Sequence, residues 1–325
     1  MKALVLDAPG APDTMYVAEL AEPTTLPGQV VISVEACGLN PVDVSTAASG
    51  HPNWTWPHVP GLDVAGRIRA LGAGVTGWEL GDRVAAHHDL RVNGGFAEQV
   101  AVNDEVLAAI PDSVDSAQAA ALPCAGMTAW QAIVSRLHTS AVDTVFITGG
   151  AGGVGGFAIQ IAHSLGARVL TSCSPSAAER LHALGADETI DYNQGNIAEQ
   201  VLALTNGRGV DGILDTRGSE SATENLHLLA FAGGLVTIAG RPDISTIDPF
   251  TTAPSTHEVA LGAAHSHGDT RARAQLAGDL SELMARVAAG KLDPMLTQKV
   301  PMDGVPAALT EIAGGHHHGK TVMVN

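Results

Sequence analysis

The chain has 325 residues, 45% of them hydrophobic and 3% aromatic, enough for two domains whose cores rest on Ala, Val, Leu and Ile rather than on rings. Its formal net charge of −17 leaves no surplus of Lys and Arg to displace counterions, which argues against a nucleic-acid partner. No stretch reaches the roughly 18 uninterrupted apolar residues of a membrane span, so no membrane partner is expected.

In chain order, MKALVLDAPG reads as a short strand ending in a turn. It lacks the basic start, long apolar run and cleavage site of a secretory leader, so a cytoplasmic protein is expected. QVVISVEACGL, DVAGRIRALG, GDRVAAH and FAEQVAV follow as short runs broken by Gly, Asp and Asn, the texture of a mostly β domain. From about residue 115, SAQAAALPCAGMTAWQAIV is Ala-rich and helical, with Pro123 as a kink or restart. Strands are then predicted at 144–148, 167–172, 188–192, 210–216 and 235–240, separated by helices at 153–165, 176–184, 196–205 and 220–231. Short apolar strands alternating with helices imply a parallel sheet covered on both faces. Past residue 262 come one long helix, TRARAQLAGDLSELMARVAAG, and a last strand, KTVMVN, expected to return to the first domain and make the second an insertion.

The stretch FITGGAGGVGGFAIQIA sets six glycines among eight positions at a strand-to-helix turn. Gly150 to Gly155 match G-x-G-x-x-G in the context that gives the pattern meaning, after a strand and at the opening of a helix. Gly150 is expected to turn the chain, Gly152 to let a pyrophosphate reach the backbone, and Gly155 to let the helix lie on the sheet. Free N–H groups at the helix start then face the phosphates. An NAD site places a carboxylate about 20 residues on, at the end of the second strand. Cys173 and Ser174 stand there instead, with Ser172 and Ser176 as further donors and Arg180 as the nearest cation. NADP is therefore favoured over NAD.

ACGLNPVD (36–43), PGLDVAGRI (60–68), GGFAEQV (94–100), AAALPCAGMTAWQAI (119–133), the glycine turn, LGADETIDY (184–192), GRGVDGILDT (207–216) and GKTVMV (319–324) together resemble the medium-chain dehydrogenase/reductase superfamily. Within it they are similar to the quinone oxidoreductase branch and the zinc-type alcohol dehydrogenase-like proteins near it. The resemblance implies an α/β fold: a doubly wound Rossmann sheet (119–263) inserted in a GroES-like, mostly β substrate domain (1–118, completed by 264–325). It implies a homodimer through the edge of the Rossmann sheet. It puts Asn40 and Thr128 near the nicotinamide and its ribose, Gly152, Gly153 and Val154 on the pyrophosphate, Tyr192 near the adenosine ribose, and Gly240 beneath the nicotinamide. The chain departs from the family twice. The Lys that many quinone reductases set against the 2′-phosphate aligns with Ala177. Arg217 stands where an apolar residue is usual, and either reaches the cofactor or is solvated.

Zinc members of the superfamily take ligands from a Cys in a CG turn, a His after Gly, and a later Cys. Cys37 and Cys124 resemble the two thiols, but Leu62 occupies the His position, and three cysteines in all cannot form a four-Cys lobe. Catalytic zinc uses three protein ligands and an open position. No zinc is therefore expected, and Cys37 and Cys124 read as small buried thiols. The number and spacing of Cys37, Cys124 and Cys173 fit a reducing compartment. His87–His88, His265 with His267, and His316–His318 read as His-rich surface turns.

Dehydrogenating an alcohol also removes a hydroxyl proton of pKa ~16, a value that zinc lowers to about 7. Reducing a quinone or an α,β-unsaturated carbonyl needs only donors for the developing oxyanion and a proton from water. The expected protein is thus a zinc-independent, NADPH-dependent reductase of small quinones or activated alkenes. Asn40 is the candidate donor. Asp43 either orders the turn that presents Asn40 or acts as an acid. In the loop after Asp43, Ser45, His51, Trp54 and Trp56 wall an apolar pocket, or the two indoles anchor the loop; His51 or His58 is a possible proton donor. The alternatives are a zinc-type alcohol dehydrogenase using Cys37 and Cys124, and an NADPH-binding sensor or structural protein without turnover.

Overall fold

The computed structural model describes residues 1–315 and 318–325. The chain forms two compact units, Met1–Met127 with Leu261–Asn325, and Thr128–Ala260.

The first unit is organised by one strand, Gln29–Gly38, whose Val, Ile and Ala side chains are nearly all buried. It pairs antiparallel with three others, Asp63–Leu71, Gln99–Asn103 and the last strand Lys320–Val324. A strand with neighbours on every side loses the alternation of a half-exposed one. Arg83–His87 and Ala108–Ala109 extend the sheet on one side and Leu296–Val300 on the other. The C-terminal segment thus completes the sheet begun by the N-terminal one. The helix Thr270–Ala288 is capped by Asp269, which accepts from the Ala272 N–H at 2.9 Å. It buries Leu276, Leu280, Leu283 and Met284 along one stripe.

The second unit is a six-stranded, all-parallel sheet in the order Glu188–Asp191, Arg168–Cys173, Thr144–Ile147, Val210–Asp215, Leu229–Thr237, Ser255–Glu258. Counted along the chain this is 3-2-1-4-5-6, the doubly wound order whose ligands bind beyond the carboxyl ends of the strands. Phe146, Leu170, Ile190, Ile213 and Leu235 fill its core from successive strands.

Two expectations fail here. The helix predicted over 220–231 stops at Asn225, a 3₁₀ turn follows over Leu226–Leu228, and the next strand already begins at Leu229. The sequence FAGG reads as a break, but Ala232 takes φ +60° and its N–H reaches Thr252 O at 2.8 Å, so the strand absorbs an irregularity instead of ending. The edge strand Ser255–Glu258, sequence STHE, has no apolar run and was invisible to periodicity. The Ala-rich helix restarts at Pro123 and closes in a π-helical turn over Gln131–Arg136.

Leu280→Ala should lower stability by about 2–5 kcal/mol in denaturant unfolding, because a fully buried side chain leaves a cavity. Val142→Ala, at a position 90% exposed, should stay within about 0.5 kcal/mol of the parent.

Candidate functional site

In the second unit the glycine turn leads from the strand Thr144–Ile147 into the helix Gly153–Ser164. The four glycines at its heart have three different reasons to be glycine. Gly149, not Gly150, carries the left-handed backbone, at φ +65°. Gly150 is required by close approach: a Cβ there would lie 2.2 Å from Thr171 Oγ1. Gly155 is required by helix packing, since a Cβ would lie 2.4 Å from Gly149 O and 2.7 Å from Gly150 Cα. Gly152 is different. A Cβ on it would meet only Gly149 O, at 3.4 Å, so no protein atom demands its absence. Gly152 caps the helix without a side chain, leaving the first N–H groups of Gly153 and Val154 open. Space that the protein itself does not fill, beside a helix N-terminus, fits the diphosphate of a nicotinamide dinucleotide.

Beside this turn lies a cavity of about 680 Å³, lined by residues at the carboxyl ends of four strands, among them Thr148, Ser172, Tyr192 and Arg217. Ser172 Oγ accepts from the Gly149 N–H at 3.3 Å, tying the cavity floor to the turn. Tyr192, 45% exposed, lines it as expected. Cys173 is buried, with its thiol pushed up by burial and by Asp191. Ser174 and Ser176 pair hydroxyl to hydroxyl at 3.0 Å. Arg180 stands on the helix Ala178–Ala183 and is not among the cavity residues. Gly240 takes φ +149°, and a Cβ there would strike Ser219 Oγ at 2.4 Å, so packing already accounts for this glycine. Thr128, in the same unit, is 8% exposed.

In the first unit Asn40, Asp43, Asp63 and Lys320 meet with at most 2% of each exposed. The Asn40 N–H donates to Asp43 Oδ2 at 2.8 Å, closing a capping box at the start of the helix Pro41–Ser49. Asp43 therefore orders the turn. The Asn40 amide donates to Asp63 Oδ2 at 2.8 Å and accepts from Lys320 Nζ at 2.5 Å. Lys320 also donates to Leu39 O at 3.0 Å and lies 3.9 Å from Asp63 Oδ2. Asn40 is thus the hub of an internal network, its amide already engaged. Burial, with Asp63 adding to it, pushes the Asp43 carboxyl up to about 8. Burial pushes Asp63 to about 6 against the opposing pull of Lys320 and Asn40. The sequence reading missed Asp63 and Lys320. Both lie inside the quoted motifs PGLDVAGRI and GKTVMV, where a charge in an apolar strand was the available signal.

Among the described residues, Asp63, His87 and Cys124 place one potential metal-ligand atom each within 4.8 Å of one another. Cys37 is not in that group; it is fully buried, its thiol pushed well up by burial. The pairing of Cys37 with Cys124 is therefore replaced by a different donor set. That set suits zinc poorly. Asp63 Oδ1 already accepts from the Cys124 N–H at 2.9 Å, Oδ2 accepts from Asn40, and an ammonium stands beside it. The Cys124 thiol is pushed up by burial and by Asp63. A dication would have to break these bonds and share the pocket with Lys320.

Three of these histidines are interior rather than on surface turns. His87 and His88 are each 3% exposed and His265 is 7% exposed. His87 Nδ1 lies 3.5 Å from His265 Nε2, and burial with the neighbouring imidazoles lowers His87 to about 3 and His88 to about 4. His267 is exposed; His316 and His317 lie outside the described residues. In the loop after the capped helix, the Trp54 indole donates to Leu90 O at 2.6 Å and stacks on His58 at 3.8 Å. Trp54 thus anchors the loop. Trp56 packs edge-on against it and stays 39% exposed. The His51 ring accepts from the Asn53 N–H at 3.2 Å, and Ser45 is exposed with its hydroxyl donating to Val42 O.

Residues 26–112 match the alcohol dehydrogenase GroES-like domain, and residues 184–323 match the zinc-binding dehydrogenase domain. The chain is 33% identical over 328 residues to the phthioceranic/hydroxyphthioceranic acid synthase of Mycobacterium tuberculosis, covering 98% of this chain but only 15% of the synthase. It is 30% identical to a mitochondrial NAD(P)H oxidoreductase of Danio rerio, covering 99% of this chain and 91% of that protein. It is 29% identical to the quinone oxidoreductase of Sus scrofa (96% and 93% covered). Among solved structures it is similar to an alcohol dehydrogenase superfamily protein from Novosphingobium aromaticivorans, with TM-score 0.89, 29% identity, and 100% and 99% of the two chains covered. The CurK enoyl reductase gives TM-score 0.85 at 28% identity (99% and 98% covered).

Two outcomes follow from the geometry. Gly152→Ala should change stability by less than about 1 kcal/mol but weaken dinucleotide binding about tenfold or more, whereas Gly155→Ala should cost about 1–3 kcal/mol by backbone collision; thermal unfolding and fluorescence titration separate the two. The second concerns pH. The folded state holds protons on Asp43 and Asp63 that the unfolded chain, with carboxyls near 4, has released, so their contribution is full below about pH 4 and lost as pH rises toward about 8. His87 and His88 oppose this only below about 6.5, where the unfolded chain takes up protons that they refuse. Between pH 6.5 and 8 stability should therefore fall, and Asp43→Asn should flatten most of that fall in urea titrations at stepped pH.

Proposed function

The chain belongs to the medium-chain dehydrogenase/reductase superfamily, and on that footing we propose that it is a zinc-independent oxidoreductase that uses NADPH to reduce quinones or α,β-unsaturated carbonyls. The observation that carries this reading is the open cradle at Gly152, which the protein's own packing leaves unfilled. A bound reduced nicotinamide supplies hydride. The chain's own part begins with the N–H groups of Gly153 and Val154, which hold the diphosphate at the helix dipole's positive end. The cavity lined by Ser172 and Tyr192 takes the adenosine end.

The first unit's network supports reduction over alcohol oxidation. Asp63 already accepts from Asn40 and the Cys124 N–H and faces Lys320, so a Lewis acid would have to compete with these partners. A reduction tolerates this, because the acceptor's β-carbon takes hydride, its oxygen takes up the negative charge, and a proton from water completes the product. Similarity to a quinone oxidoreductase and to an enoyl reductase points to these two acceptor classes. A homodimer through the exposed edge strand Ser255–Glu258 belongs to the same reading.

A second reading, a zinc-type alcohol dehydrogenase, is favoured by one observation, the convergence of Asp63, His87 and Cys124. The test is a screen of NADPH oxidation against benzoquinones, naphthoquinones and enals, alongside metal analysis of the purified protein. Turnover of one acceptor class without stoichiometric metal is the expected result. About one zinc per chain, lost in Cys124→Ser together with alcohol oxidation, would replace it with the second reading. Tight NADPH binding without turnover on any acceptor or alcohol would reduce the protein to a sensor.

A further inference from the structure

The cavity at the strand ends has an uneven charge pattern. Arg217 is its only cationic side chain among the described residues, and Glu220 and Glu224, one turn apart on the helix Ser219–Asn225, are its two anionic ones. The rest of the wall is neutral, with serine, tyrosine and asparagine interspersed among glycines and apolar side chains. Arg217 is held there by its main chain: its N–H donates to Asp215 Oδ1 at 2.9 Å, and Asp215, 1% exposed, also takes Ser221 and Asn225 on its other oxygen. The guanidinium is exposed, and no salt bridge to either glutamate occupies it. Arg91, Arg208, Arg241 and Arg273, by contrast, are each paired with a carboxylate.

The cavity's position says what such a cation would meet. Ser172 and Arg217 stand at the ends of strands separated by the one that feeds the glycine turn. Two strand spacings make roughly 10 Å, a gap that an extended arginine and a phosphate group bridge together. Arg217 shares the cavity wall with Ser172 and Tyr192, the residues proposed to meet the adenosine end. The residue that would replace it is missing: position 177 is a buried alanine, and Arg180 lies off the cavity.

We propose that Arg217 is the residue that selects the 2′-phosphorylated dinucleotide, by pairing its guanidinium with the 2′-phosphate at the adenosine end of the cavity. This rests on the dinucleotide reading above. Glu220 and Glu224 make the selection sharp, because without Arg217 they leave a wall that repels a dianion and favours a bare ribose hydroxyl. A guanidinium suits the role, since it presents paired donors to phosphate oxygens and keeps its charge at any working pH.

The experiment is a fluorescence titration of the full chain with NADPH, NADH and, as probes without a nicotinamide, ADP-ribose and its 2′-phosphate. It is run on the parent, Arg217→Ala, Arg217→Lys and Glu220→Gln. Arg217 is exposed, so its variants should fold with an unchanged unfolding midpoint. Arg217→Ala should lose about ten- to a hundredfold for the two 2′-phosphorylated ligands and less than about twofold for the others. Arg217→Lys should recover part of that loss, and Glu220→Gln should tighten NADPH while leaving NADH unchanged. The preference of the parent for NADPH should weaken with salt. An equal loss for phosphorylated and unphosphorylated ligands, or no loss for either, would overturn the role of Arg217 while leaving the dinucleotide site standing. A parent that binds none of the four would sink the underlying reading instead.

Discussion

A main-chain N–H can hold a phosphate only where no side chain stands between them, and a helix start can offer several such groups only if the chain reaches it through a turn that L-residues resist. The glycine-rich turn meets both demands, and it divides them among its members. Gly149 supplies the left-handed conformation, Gly150 and Gly155 permit the strand and helix to close on each other, and Gly152 alone leaves empty space. The first three are requirements of folding. The last is required by no protein contact, and the proposed diphosphate site rests on that open space.

The other unit is shaped by the opposite problem, the burial of charge. Two carboxylates and one ammonium sit in the interior, linked by the amide of Asn40. Burial alone would neutralise the acids, and both are pushed toward protonation. Lys320 counters this at Asp63, and the capping box counters it at Asp43. The network engages the Asn40 amide and both Asp63 oxygens in hydrogen bonds within the interior. The buried histidines nearby, held neutral, add donors and acceptors without adding charge. A reaction that draws its hydride from a dinucleotide and its proton from water is compatible with such an interior.

The periodicity of strands and helices, the strand–turn–helix context of the glycines and the return of the last strand are all readable along the chain, because each depends on residues a few positions apart. Gly150, Gly152 and Gly155 could be named from spacing alone, although their separate reasons could not. What spacing hides is company. Lys320 lies 280 residues from Asn40 and 257 from Asp63 in the chain, and only the pairing of the last strand with Gln29–Gly38 brings them together. Asp63 and His87 face each other because their strands are antiparallel in that register, which also put the histidines inside when their polarity suggested a surface. Trp54 became a loop anchor through Leu90, and Arg217 came to line a cavity through the order of the parallel strands. Local pattern reports which face of an element is apolar; which charges share an interior, and which cation is left without a partner, is decided only when strands distant in sequence choose their neighbours.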